Sequence, residues 1–336
     1  MRAALCRTYG GPEVVEITEL PTPTLGAGEA RVRVHTGAVN FPDVLLVADA
    51  YQVSVPTPFV PGSEFAGVVS EVAPGVETTH VGERVFGSTM VGAFAEEVVV
   101  PATSLTPIPP GVSDEAAAAF GVAYRTAYHV LRSVAALAPG EELVVLGAGG
   151  GVGTAAVQLG ALLGARVTAV ASTPEKLEAA AACGAERLID HRAGDLRQAL
   201  RSALPEGADV VIDPVGGDLA EPALRSLHWG GRFVTVGYAS GTIPRIPLNL
   251  VLLKGVHILG FQFRDFAAHL PEELARNDRE LLDLLAAGRA TPLIGAVFAL
   301  EQTAEALRHV AEGKAVGKVV VRVAEPASGG GGGGGG

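Results

Sequence analysis

Between Leu143 and Gly237, short apolar runs alternate with stretches in which apolar residues recur every three or four positions. The runs LVVLG (143–147), RVTAVAS (166–172), AERLID (185–190), DVVID (209–213) and RFVTVG (232–237) read as strands. The intervening segments 152–164, 174–184, 194–204 and 219–227 read as helices. Strands alternating with helical stretches predict βαβ units around a parallel sheet. GVHILGFQF (255–263) predicts one more strand. The first 120 residues differ: β-branched runs at Val14–Thr18, Ala30–Ala38, Phe65–Val72 and Phe94–Val100, separated by Gly and Pro, predict an irregular β domain. Ser113, Asp114 and Glu115 are cap candidates before a helical pattern over 116–137, which places a domain boundary near 120. Helices around 271–287 and 301–312 and the strand KVVVRV (318–323) have no place in the repeat and are expected to return to the first domain.

The strongest chemical signal is the turn between the first α/β strand and its helix. Gly150, Gly151 and Gly153 let the turn tighten, let backbone approach a pyrophosphate, and let the helix opened by Val152 sit close to the strand. The helix N-terminus then receives the anion. A glycine-rich turn alone says little, but a strand before it, a helix after it and a second strand at the expected distance specify a dinucleotide site. An NAD-binding protein usually places Asp or Glu about 20 residues past the loop. Ala171 stands there instead, followed by Ser172, Thr173 and Lys176, which can donate to a 2′-phosphate. NADPH is therefore expected over NADH, although Thr173 also fits a helix cap before Pro174 and Lys176 a solvated lysine.

Composition narrows the partners. The 336 residues, 48% hydrophobic and 18% charged, are enough for two domains with buried cores. A net charge of −11 leaves no basic stripe for nucleic acid, which is not expected as a partner. Cys6 and Cys183 are the only cysteines, and no CxxC or HExxH occurs, so neither a disulfide framework nor a structural zinc is expected. No run approaches the roughly 20 apolar residues of a membrane span, and the N-terminus lacks a signal-like apolar run; a cytoplasmic protein with no membrane partner is expected. The glycine run that ends the chain, within 326–336, has no side chains to pack and is expected to be a disordered tail.

Several blocks occur together in order: AVNFPDVLLVADAYQV (38–53), PFVPGSEFAGVVSEVAPGV (58–76), VGERVFG (81–87), AGGGVG (148–153), DPVGGDL (213–219), GRFVTVGYASG (231–241) and GKVVV (317–321). With them the chain resembles the medium-chain dehydrogenase/reductases, in the zinc-free, zeta-crystallin-like NADPH:quinone oxidoreductase branch. The resemblance implies an α/β fold: a Rossmann doubly wound parallel sheet over 122–263 plus a GroES-like irregular β-barrel domain over 1–121, completed by 264–325. It also implies NADPH in the cleft and a homodimer or homotetramer. Zinc-dependent relatives carry a Cys within the segment occupied here by Asn40 to Asp43 and a His where Ser63 precedes Glu64. His191 stands where many relatives have a tyrosine near the adenosine; stacking on the cofactor and simple exposure both remain open for it.

Hydride chemistry belongs to the nicotinamide, so the protein mainly positions it and manages the charge left on the acceptor. Quinones and activated enones fit, since hydride addition yields an anion that a few donors can stabilise. Asn40 is the leading donor candidate, with Thr126 beside the nicotinamide by resemblance; a turn cap for Asn40 and a helix back-bond for Thr126 are the plain alternatives. Tyr51 matches a tyrosine that assists protonation in enoyl-thioester reductases, which keeps an enoyl-thioester or alkenal reductase open beside the quinone reductase. Gly237, Ala239 and Ser240 follow the fifth strand, where ligands gather in such folds and backbone amides of the turn are expected to meet the ribose or the carboxamide. Phe261 and Phe263 are expected to wall the cavity. A binding protein with a structural or regulatory role is the alternative of another class.

Overall fold

The computed structural model describes residues 1–324. The glycine-rich tail expected over 326–336 lies outside the described residues.

In the first part of the chain, β1 (Arg2–Cys6) and β2 (Val15–Glu19) form an antiparallel pair. There follow β3 (Glu29–Val39), α1 (Phe41–Val47), β4 (Glu64–Val72), β5 (Arg84–Ser88), β6 (Glu97–Pro101), β7 (Thr106–Pro107) and the short α2 (Asp114–Ala118). Strand β3 is long enough to pair along one edge with β4 and along the other with β6. Its inward side chains Val32 and Val34, with Phe65, Val85 and Phe94, fill the core of this domain.

The helical pattern expected over 116–137 is broken. α2 ends, α3 (Gly121–His129) starts afresh, and a π-type turn occupies Val130–Val134. The break has a tertiary cause: the buried Glu64 carboxylate of β4 accepts the Val122 amide at the new helix start. Gly121, a poor helix former, makes the interruption cheap.

Next come β8 (Glu142–Leu146), α4 (Gly151–Leu162), β9 (Arg166–Ala171), α5 (Pro174–Ala182), β10 (Arg187–Asp190), α6 (Leu196–Ala203), β11 (Ala208–Asp213), α7 (Ala220–Arg225), β12 (Leu227–Thr235), α8 (Leu248–Lys254) and β13 (His257–Gly260). All pairings in this sheet are parallel, in the order β10-β9-β8-β11-β12-β13. With β8 counted first, that is the 3-2-1-4-5-6 order of the Rossmann fold, and the order reverses between β8 and β11. β8 and β11 are apolar throughout their middles because helices cover both faces of the sheet. The strand expected over 255–263 is shorter than its apolar run: the Gln262 side chain accepts from the Asp265 amide at 2.7 Å, so Phe263 opens α9 (Phe263–His269) instead.

The chain then forms α10 (Pro271–Ala286), β14 (Ile294–Ala299), α11 (Thr303–Ala311) and β15 (Lys318–Arg322). The segment expected to complete the barrel domain divides. β15 pairs with β3 and β14 with β15, and α11 adds Ala306 and Leu307 to the barrel core. α10 instead lies against α3, burying Leu281 and Leu285 in the core that holds Leu143 and Leu159, with Arg125 clamping Asp278 at 2.7–2.8 Å. Among the described residues, no helix is long and apolar enough to cross a membrane.

Candidate active site

The turn at the end of β8 sits at the reversal of strand order, where open α/β sheets take their ligands. Gly150 caps α4 without a side chain, and the amides of Val152 and Gly153 have no hydrogen-bond partner among the described residues, while Gly150 bridges in parallel to Gly317. Two unpaired donors at the start of a twelve-residue helix form an anion cradle. The four loop glycines have separate reasons. A Cβ on Gly153 would lie 2.0 Å from the Gly147 carbonyl oxygen, so glycine is what lets α4 touch β8. On Gly149 it would lie 2.4 Å from the Lys176 Cβ, and on Gly151 2.8 Å from the Lys318 Cδ. On Gly150 it would meet only the Gly147 oxygen at 3.5 Å, so that side of the loop is left open.

Facing this loop is one end of the barrel sheet. Asn40 follows the last residue of β3, Glu64 opens β4 and Lys318 opens β15; the pairings Ala38 with Glu64 and Val39 with Val319 bring the three together. The Lys318 ammonium donates to Asn40 Oδ1 at 2.6 Å and to Glu64 Oε2 at 2.9 Å. Asn40 Nδ2 donates to Glu64 Oε2 at 2.6 Å and to Ser63 Oγ at 3.3 Å. Asp43, wholly buried in α1, accepts the Asn40 amide at 2.7 Å through Oδ2, while its Oδ1 has no partner among the described residues. Burial pushes the Asp43 carboxyl up to about 7, against the opposing pull of its bond from the Asn40 amide and of the nearby Ser63 and Lys318. The two halves are joined directly: the Gly317 amide, next to Lys318, donates to the Gly149 carbonyl at 2.7 Å.

A family model described as zinc-binding dehydrogenase matches residues 151–280, and one described as the alcohol dehydrogenase GroES-like domain matches residues 26–110. Bos taurus quinone oxidoreductase-like protein 2 is 38% identical over 95% of this chain and 92% of its own. The chain belongs to the medium-chain dehydrogenase/reductase family. Among solved structures, this dehydrogenase/reductase superposes on the Thermus thermophilus quinone oxidoreductase, solved also with NADPH, with 34% identity and a TM-score of 0.81 over 96% of this chain and 100% of that one. The Escherichia coli quinone oxidoreductase complexed with NADPH gives 27% identity and a TM-score of 0.86 over the same shares.

On the other side of the glycine loop of this family member, β9 stops at the buried Ala171, and the His191 amide donates to the Ala171 carbonyl at 3.1 Å. Lys176 Nζ reaches the Gly313 carbonyl at 2.5 Å and Ser172 Oγ at 3.5 Å. Arg192, not singled out from the sequence, lies close enough to Lys176 and His191 to lower both pKa values, second in each case to burial. Its only sequence signal is its place beside His191. Thr173 is the cap of α5, accepting the Lys176 amide, so its hydroxyl is committed to the helix.

The other expected residues divide. Thr126 does not back-bond: unlike Thr154, whose hydroxyl donates to the Gly150 and Gly151 carbonyls, its hydroxyl has no partner among the described residues. The Tyr51 hydroxyl likewise has none, and its ring packs on the barrel core. Asn40, expected to donate to an acceptor, turns both its N–H groups inward to Glu64 and Ser63. The amides of Gly237, Ala239 and Ser240 are taken by the Asp213, Pro214 and Val215 carbonyls at 3.4, 3.2 and 3.0 Å, because the loop after β12 folds back on the end of β11. They are not the free donors the sequence suggests. Phe261 stacks on the buried His129 and Phe263 tilts against it, with ring centroids 6.4 and 5.7 Å away, and Arg125 lies 4.6 Å over the Phe263 ring. Among the described residues, no group of three or more His, Cys, Asp or Glu side chains is gathered to hold a metal ion.

Proposed function

We propose that the protein is an NADPH-dependent reductase that delivers hydride, without a metal, to a quinone or a related electrophilic α,β-unsaturated carbonyl. The observation that carries this reading is the start of α4, where the unpaired amides of Val152 and Gly153 stand beside Lys318 of the Asn40, Glu64 and Lys318 cluster. The two NADPH complexes of related quinone oxidoreductases support it. The loop amides hold the pyrophosphate, Ser172, Lys176 and Arg192 the 2′-phosphate, and His191 flanks the adenosine. Bound NADPH supplies the hydride. At the other end, Thr126 and Asn40 orient the nicotinamide half, Gly237, Ala239 and Ser240 bound it through backbone and side-chain oxygens, and Phe261 and Phe263 close the side.

The test is NADPH oxidation, after chelator treatment, against 1,4-naphthoquinone, an alkenal and crotonyl-CoA, with NADH in parallel. Turnover of the quinone with NADPH is expected; silence across the panel despite tight NADPH binding would turn the reading toward a binding protein. Lys176→Ala with Arg192→Ala is expected to weaken NADPH about a hundredfold and NADH by no more than about twofold, since each removes a charge-assisted contact to a phosphate only NADPH has.

The free Tyr51 hydroxyl favours a second reading, an enoyl-thioester or alkenal reductase in which the phenol delivers the proton that follows hydride. Tyr51→Phe should then slow enone reduction at least tenfold and leave NADPH affinity alone; equal rates would remove Tyr51 from that role. We also propose a homodimer, the unit from which a homotetramer is built, formed along β13, whose outer edge has no partner strand among the described residues. Trp229, Leu248, Leu252 and Leu253 beside it are 72–79% exposed, an apolar patch suited to a second copy. Leu252→Glu should shift the sedimenting species to monomer.

A further inference from the structure

The buried pair Lys318 and Glu64 does more than neutralise itself. An ammonium can only donate and a carboxylate can only accept, whereas an amide does either depending on which way it is turned. With Lys318 at 2.6 Å from one amide atom of Asn40 and Glu64 at 2.6 Å from the other, only one orientation is allowed: oxygen to Lys318, nitrogen to Glu64. Ser63 takes the second N–H. What Asn40 has left is a single carbonyl lone pair.

Lys318 also belongs to the glycine loop. Its stem passes the start of α4 through space that only a glycine at 151 leaves free, and its neighbour Gly317 is bonded to the Gly149 carbonyl. One residue therefore registers the anion cradle against the side chain nearest the other end of the crevice. Asp43 fixes the Asn40 backbone from the opposite side. α11, which also packs on α1, buries Thr303, Ala306 and Leu307, none of which titrates, so Lys318 is the one cation bonded within this group.

We propose that Lys318, acting with Glu64, is a positioning residue that locks the Asn40 amide so that Asn40 serves the nicotinamide half of the cofactor as a hydrogen-bond acceptor and not as a donor. The N–H of a carboxamide or a ribose hydroxyl is the chemistry such a carbonyl takes. This inference rests on the dinucleotide reading of the loop, and the test separates the two.

Affinity for NADPH and for 2′-phospho-ADP-ribose, which lacks the nicotinamide, is measured by calorimetry on wild type, Lys318→Met and the Lys318→Met, Glu64→Gln double variant, alongside thermal unfolding. Lys318→Met alone leaves a buried unpaired carboxylate and is expected to unfold at a lower temperature. The double variant removes both charges and is expected to recover stability, yet the glutamine it introduces presents either an oxygen or an NH₂, so the Asn40 amide is no longer fixed. Its NADPH affinity should fall about tenfold while 2′-phospho-ADP-ribose binds as in wild type. An unchanged ratio of the two affinities would reduce the pair to structural ballast and overturn the proposal. Should the double variant fail to fold, Lys318→Gln with Glu64→Gln keeps both positions polar and likewise leaves the Asn40 amide unfixed, and an unchanged ratio there overturns the proposal equally. If wild type binds neither ligand, it is the dinucleotide reading that has failed.

Discussion

Gly153→Ala is expected to lose cofactor binding and about 3 kcal/mol of stability together, because overpacking a contact of this kind forces backbone to move. The added methyl would stand 2.0 Å from the Gly147 oxygen and 2.8 Å from the Ala148 Cα, and neither is the end of a flexible side chain. α4 must retreat from β8, and the amides of Gly151–Gly153 move with it. Gly150→Ala is the matched control. Its backbone is extended, with φ −87° and ψ 177°, and its new methyl would find no neighbour nearer than 3.5 Å. The protein should remain as stable as wild type while NADPH binding falls about tenfold or more, since the methyl enters the space kept for the ligand. Thermal unfolding and calorimetric titration of both variants check this; equal stability losses would mean that Gly150, too, is a packing glycine.

The second large effect concerns Asp43. The unfolded chain sheds this proton near 3.8, and the folded protein keeps it to about 7 because the carboxyl is wholly buried. Between those values the folded state binds more protons than the unfolded one, so this group stabilises the fold at low pH. Its contribution is lost as pH rises through the window and is flat above it. About three pH units at 1.36 kcal/mol each amount to roughly 4 kcal/mol. Burial raises Asp213 in the same direction, whereas Asp114 and Asp278 are held down by His35 with Arg84 and by His129 with Arg125 and pull the other way. The total curve of the wild type is therefore not diagnostic, but its difference from Asp43→Asn is. Urea unfolding at about pH 4.5 and about pH 8 should show the variant gaining on wild type by a few kcal/mol at the higher pH. A constant difference would mean that Asp43 is ionised in the fold throughout.

How much could be read in advance follows from where each signal lies in the chain. The parallel sheet was legible from Leu143 to Gly237 because each strand and each helix carries its own period, and the loop from Gly150 to Gly153 is bracketed by the strand and helix it needs. Ala171 with Lys176 was legible for the same reason of proximity. The break between α2 and α3 was not, since its cause is Glu64, which lies on another domain's strand. The free donors expected at Gly237, Ala239 and Ser240 were lost to carbonyls of β11's end, a contact no local pattern announces. Lys318 opens an apolar strand, and a lysine there is visible as an oddity, but its partner Asn40 is 278 positions away.

The sequence by itself determined the strand and helix periods, the anion loop and the missing acidic residue after β9, because these depend on neighbours within a few tens of residues. The tertiary structure alone decided that β3, β4 and β15 end together, that Asp43 is buried beside Lys318 and Glu64, and that the Asn40 amide is turned with its oxygen to Lys318 and its nitrogen to Glu64. The physical reason is that burial, charge pairing and the direction of a hydrogen bond are properties of three strands meeting in space, set by which partner can only donate and which can only accept.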